Sequence, residues 1–222
     1  MTGGPAGLDS TVRDHALRLI DAAAAAGDAS VAPIVQAGHP VLRSRAVPFD
    51  GQLDDGELAA LLALMRRTMH AAPGVGLAAP QIGLPLAVAV LEDPGTADDR
   101  IAAVRERPPL PYRVLVNPAY LPTGDRHASF YEGCLSVAGW QAVVARHRAV
   151  HLTGRDETGA PIDEVVTGWP ARIVQHETDH LAGTLYLDRA ELRSLTANED
   201  APPWPAEPTP VTAARVLGFP LY

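Results

Sequence analysis

At 222 residues, with 47% hydrophobic and 20% charged side chains, the chain has the composition of one globular domain able to bury a sizeable core, which excludes a disordered protein. Its formal net charge of −8 argues against a large nucleic-acid footprint, so DNA is not an expected partner, although a local basic patch can still meet an anionic surface such as a ribosome. A single cysteine cannot form an internal disulfide, no apolar run reaches bilayer length, and early acids at Asp9 and Asp14 disfavour an export or transit signal; a cytoplasmic protein without membrane contact is expected.

Residues 1–8 are rich in Gly and expected to fray. From Ser10 to Ala26 the positions Val12, Ala16, Leu19, Ile20 and Ala23 follow helical spacing, with Ser10 or Thr11 as cap and Gly27 as stop. Residues 1–32 therefore read as an N-terminal helical extension. Pro33 to Val47 reads as an extended lead-in, turning at His39-Pro40 and Val47-Pro48. Leu53 to His70 predicts a second helix, with Leu58, Leu61, Leu62, Met65 and Met69 on its apolar side and Ala72-Pro73-Gly74 as breaker. Gly74 to Gly83 holds too much Gly and Pro for a regular element and leads into an apolar strand at Leu86–Leu91. Glu92 to Pro111 reads as a polar connector, an exposed loop insertion. Val114–Asn117, Gln141–Ala145 and Ala149–Thr153 have strand character, and Asp156-Glu157-Thr158-Gly159 marks a hairpin turn before Ile162–Val166.

A further helix follows. Thr167 can cap it, Pro170 suits its first turn, where no N–H donor is needed, and Gly183 suits its C′ position. Leu185 to Leu195 predicts a short amphipathic helix. Beyond Asp200 five prolines prohibit regular structure until Val211–Leu217, so residues 196–222 read as a Pro-rich tail and a flexible arm. Strands in the middle of the chain and one central helix indicate an α+β fold, with antiparallel or mixed sheets around that helix and residues 33–195 as the catalytic domain.

The central helix carries Gln175-His176-Glu177-Thr178-Asp179-His180. Two histidines four residues apart project from one helix face and can hold one metal ion, and Glu177 stands beside the first, close enough to handle the proton of an activated water. Cys134, in Glu132-Gly133-Cys134-Leu135-Ser136, offers a thiolate as third ligand. A buried small hydrophobe is the ordinary role of a lone cysteine, but Gly133 before it permits an unusual backbone path. Three protein ligands and one open position describe a hydrolytic site rather than a structural one. No H-x-x-G-x-x-H continuation follows, so an ordinary metalloprotease is the weaker reading. Gln81 closes Gly74–Gln81, a loop that is no P-loop; its amide can point at a substrate oxygen and supply a few kcal/mol to a tetrahedral transition state.

The three segments G-V-G-L-A-A-P-Q (Gly74–Gln81), E-G-C-L-S (Glu132–Ser136) and Q-H-E-T-D-H (Gln175–His180) resemble, in order, the three signature motifs of the peptide deformylases. The likeness extends from about Ile34 to Arg189. The resemblance implies a metal-dependent hydrolase that removes the formyl group from N-formylmethionyl nascent peptides and releases formate, with transient ribosome contact. It implies Cys134, His176 and His180 as ligands of one divalent metal, natively Fe2+ with Zn2+, Ni2+ or Co2+ able to substitute, and Glu177 as general acid/base. Gln81 and the backbone N–H of Leu135 would stabilise the oxyanion, Gly76 would line the substrate backbone channel, and Val75 and Ile173 would lie near a slot for the methionine side chain. Glu132 and Asp179 would orient the ligands, with Arg146 as partner of Glu132. The chain departs from the family pattern at Ala138, where many relatives carry Pro, at Thr178, usually apolar, and at Gln141, where some bacterial members carry Arg. Two alternatives stand beside this reading: a peptide-binding module that has lost turnover, and a zinc peptidase.

Overall fold

The computed structural model describes residues 6–27, 29–200 and 202–222, with side chains from residue 11 onward. Of the residues 1–8 expected to fray, 1–5 lie outside the described residues and 6–8 are helical. Helix α1 (Ala6–Ala26) starts before the expected cap, so Ser10 and Thr11 fall within its first turns. Helix α2 (Asp55–Ala71) begins at Asp54, whose carboxylate accepts the Glu57 N–H at 2.8 Å while the Glu57 carboxylate accepts the Asp54 N–H at 3.0 Å. That reciprocal pairing satisfies two of the donors a helix start leaves open. All five expected apolar positions of α2 are buried, and they meet Val12, Ala16 and Ala23 of α1 in one cluster.

Among the described residues eight strands form two antiparallel sheets. The larger is ordered β1 (Gly76–Ala78), β2 (Val88–Asp93), β3 (Leu110–Pro122), β6 (Ala149–Arg155), β7 (Pro161–Thr167); the smaller is β4 (His127–Gly133), β5 (Trp140–His147), β8 (Ala190–Ala197). Every pairing between these strands is antiparallel. The β6–β7 turn closes as expected, with the Asp156 carboxylate accepting the Thr158 and Ala160 N–H groups, both at 2.9 Å. Helix α4 (Gly168–Leu181) packs against strands of both sheets. α1 and α2 cover one face of the larger sheet and α4 the other, through Ala171, Ile173, Val174 and Leu181 against Ala89, Leu91, Leu115 and Leu152. The chain is thus an α+β fold around the helix that bears the histidines.

Four expectations are corrected. Leu185–Leu195 is no helix: a short 3-10 turn (Tyr186–Asp188) leads into β8. The open edge of β5 needs partners, and it takes β8, including the Ser194 hydroxyl, which accepts the Val143 N–H at 2.7 Å; Leu192 and Leu195 stay exposed. The polar connector contains helix α3 (Asp99–Arg105), capped by Asp98, whose carboxylate accepts the Arg100 and Ile101 N–H groups at 2.9 and 3.0 Å. Thr167 occupies the cap position of α4 without a side-chain cap bond; the Gly168 and Trp169 N–H groups go instead to the carbonyls of Arg148 and Glu106. The tail does not hang free: helix α5 (Val211–Leu217) packs Ala213 and Ala214, with Phe219, on Tyr131 and Val143 of the smaller sheet. Among the described residues no helix is long and apolar enough to cross a membrane.

Gly168 marks a tight junction between α4 and the end of α3. Its φ is +65°, and a Cβ there would stand 2.5 Å from the Glu106 carbonyl oxygen. Gly168→Ala is expected to destabilise the protein by about 2 kcal/mol or more, read as a lowered midpoint in urea unfolding.

A candidate metal and active site

The start of α4 is held between Arg148 and Glu106, and its far end turns out at Gly183, whose φ of +79° only glycine adopts freely. Between them the helix is unusually polar for a buried element: Arg172, Gln175, Glu177, Asp179 and His180 are all buried. Each therefore needs a partner or a function. Gln175 takes the place of a strand residue, accepting the His147 N–H at 3.1 Å and donating to the His147 carbonyl at 2.8 Å.

The structure brings together the three predicted ligands. Cys134 Sγ lies 3.2 Å from His180 Nε2, and the donor atoms of Cys134, His176 and His180 lie within 4.8 Å of one another. Donors around one small divalent cation stand roughly 3–4 Å apart, and a thiolate with two imidazoles suits Zn2+ or Fe2+. His176 Nδ1 is held by Glu132 at 3.0 Å, which leaves Nε2 for the cation. The residues present fit a metal.

Beneath His176 lies a closed network of charges. Both oxygens of Glu132 accept from Arg146, at 2.9 Å each, and Arg172 donates to the same carboxylate and to the Val144 carbonyl at 3.0 Å. Burial alone would push the Glu132 carboxyl up, but Arg146 and Arg172 hold it well below the usual carboxylate range. Arg172 itself is pushed down to about 10 by burial, against the pull of Glu132. Asp179 accepts from Arg146, from both donors of Arg189 at 2.7 and 2.9 Å, and from the Tyr120 hydroxyl at 3.0 Å. Asp179 thus connects to His176 through Arg146 and Glu132.

Glu177 is placed differently. It is buried beside His176, Oε2 has no hydrogen-bond partner among the described residues, and burial pushes its carboxyl up to about 7. Gly76 makes room for it, since a Cβ at Gly76 would stand 2.2 Å from Glu177 Oε1. Gln81 Oε1 accepts the Ala78 N–H at 2.8 Å, which aims Nε2 toward Cys134 Sγ, 3.6 Å away. A cleft of about 680 Å³ opens over these groups, and Val75, Gly76, Gln81, Leu135 and Ile173 all line it.

Sequence reasoning passed over three neighbours: Trp169 and Arg172 in the cleft wall, and Tyr186, whose ring stacks on His176 with centroids 6.2 Å apart. Arg172 stands four residues before His176, so an arginine one turn back on a histidine-bearing helix was the available signal. Tyr186 had none, because it arrives from a turn beyond the helix. Removing the anchor carboxylate with Glu132→Ala leaves the buried Arg172 without its counter-charge and Arg146 with Asp179 alone, and a loss of about 3–5 kcal/mol is expected in denaturant unfolding of the metal-free protein.

Comparison with known proteins agrees with this geometry. A family model described as polypeptide deformylase matches residues 31–195. Peptide deformylase 3 of Streptomyces avermitilis is 61% identical over 189 residues, covering 85% of this chain and 84% of that protein. Peptide deformylase 1 of Streptomyces coelicolor is 60% identical over 189 residues, covering 85% and 87%. Among solved structures, a Met-Ala-Ser-bound class I type b peptide deformylase from Acinetobacter baumannii superposes with a TM-score of 0.66 at 32% identity, over 73% of this chain and 99% of that one. The motifs, the fold and these likenesses converge: the chain belongs to the peptide deformylase family, metal-dependent hydrolases that remove the N-formyl group from nascent polypeptides.

Proposed function

We propose that Cys134, His176 and His180 hold one divalent cation, Fe2+ in the native protein, and that Glu177 is the general acid/base for hydrolysis of the formyl group on N-formylmethionyl peptides. The observation that carries this reading is the convergence of those three donors beside a buried carboxyl with a free oxygen, at the floor of a cleft. When bound, the cation supplies Lewis acidity and a nucleophile derived from water near neutral pH. Glu177 takes the proton released as the formyl carbon is attacked and passes it to the leaving amine; a carboxyl held near pH 7 suits both transfers. The Gln81 amide and the Leu135 N–H donate to the oxygen on which negative charge develops. Gly76 lets the peptide backbone approach, and Val75 and Ile173 flank the methionine side chain. Glu132 orients His176, with Arg146, and through it Asp179, holding Glu132 in place.

The test is formate release from formyl-Met-Ala-Ser by protein purified without oxygen and loaded with Fe2+ or Ni2+, together with metal analysis of the native protein. One equivalent of iron and stoichiometric formate with the peptide bonds intact are expected. Cleavage of unformylated Met-Ala-Ser would point instead to a peptidase. Gln81→Leu is expected to lower kcat about a hundred-fold while metal content stays unchanged, and Glu177→Ala to lower it about a thousand-fold at equal metal content. Unaltered turnover in either variant removes that residue from the mechanism.

A further inference from the structure

Helix α3 lies in what reads as an exposed connector, yet its last residue, Arg105, is half-buried in the wall of the catalytic cleft. Its guanidinium donates to three carbonyls of the Pro-rich segment about a hundred residues away: Nη2 to Pro205 at 3.1 Å and to Glu207 at 2.6 Å, and Nε to Pro208 at 3.4 Å. Among the described residues it forms no ion pair with a carboxylate. A segment rich in proline presents carbonyls with few N–H groups of its own, and the five-donor fork of arginine is suited to collecting them. The same guanidinium stacks over Trp169, 5.3 Å from the ring centroid, and over Phe130 at 5.8 Å.

This tether is joined to the metal helix. The Trp169 backbone N–H donates to the Glu106 carbonyl at 2.9 Å, and the Glu106 carboxylate pairs with Arg148. Trp169 and Ile173, one turn apart on α4, line the same cleft as Val75, and so do Arg105 and Pro205. An arginine that served only to fasten a tail would have no reason to face the cavity.

We propose that Arg105 is a positioning residue for substrate selection: it straps the Trp204–Pro208 segment against the cleft, so that the first side chain of a formylated peptide meets a closed wall of Trp169, Arg105 and Pro205. The ligand class is a formyl peptide with an unbranched first side chain of methionine's size; bulkier first residues are turned away by the wall. This rests on the assignment of the cleft made under the proposed function.

The test compares unmodified protein, Arg105→Ala and Arg105→Lys, each loaded with Ni2+. In Arg105→Ala the preference for formyl-Met-Ala-Ser over formyl-Trp-Ala-Ser, taken as a ratio of kcat/KM values, should fall about five-fold or more, through KM rather than kcat. Residues 202–210 should at the same time become cleavable by a low dose of thermolysin. Arg105→Lys, which can reach one carbonyl but not three, should fall between. An unchanged ratio overturns the proposal, whether the tail is released or not. If Arg105→Ala fails to fold, Arg105→Lys is read by the same criteria. Absence of formate release from the unmodified protein would defeat the functional reading instead, and the strap would then be judged by thermolysin alone: a tail equally protected in all three proteins overturns it.

Discussion

The structure depends on one buried carboxylate. Glu132 sits at the end of β4, fully desolvated, and holds the Nδ1 side of His176. A lone carboxylate in such a place would take up a proton and lose its grip on the imidazole. It stays ionised because Arg146 from β5 and Arg172 from α4 both donate to it, and Arg146 is shared with Asp179, which Arg189 and Tyr120 complete. Buried ion pairs add little net stability over an apolar core, but they enforce one arrangement when every member is paired. Here that arrangement aims a ring nitrogen of His176 toward Cys134 and His180.

The same small region holds a second carboxyl that is shifted the other way. Glu177 faces no guanidinium at bonding distance, and burial lifts its carboxyl to about 7 while Glu132 lies well below its ordinary range. Two acids whose environments drive their protonation in opposite directions are suited to different tasks. The division is geometric as much as electrostatic, because only the missing side chain of Gly76 lets the Glu177 carboxyl occupy its position. Around this centre the elements outside the family motifs are not ornamental. The insertion helix meets α4 at Gly168 and meets the tail through Arg105, so three distant stretches of chain share one wall.

Some of this was legible in the residues. The apolar spacing of α2, the turn at Asp156–Gly159 and the limits of α4 near Pro170 and Gly183 follow from local rules of packing and capping. So does the pair His176 and His180, because a four-residue step on a helix decides by itself which side chains share a face. Other elements were not legible. Strand β4 carries the charged Glu132 and the polar Ser129 inward, which hides its alternation, and β8 has leucines at helical spacing that the open edge of β5 overrules. The tail's prolines bar its own regular bonds, but say nothing of an arginine elsewhere that collects its carbonyls.

The sequence by itself determined the chemistry on offer: a thiol, two imidazoles one turn apart, a neighbouring carboxyl and an amide, in three segments whose order and wording mark the family. These are properties of residue types and short spacings, which neighbouring chain enforces without help. The tertiary structure alone decided which acid is held well below its ordinary range and which is lifted above it, what fills the space that Gly76 leaves, and that the tail packs on the smaller sheet and on Arg105 rather than trailing free. Those outcomes turn on desolvation and on contacts between residues tens to a hundred positions apart, and no local pattern encodes where such partners meet.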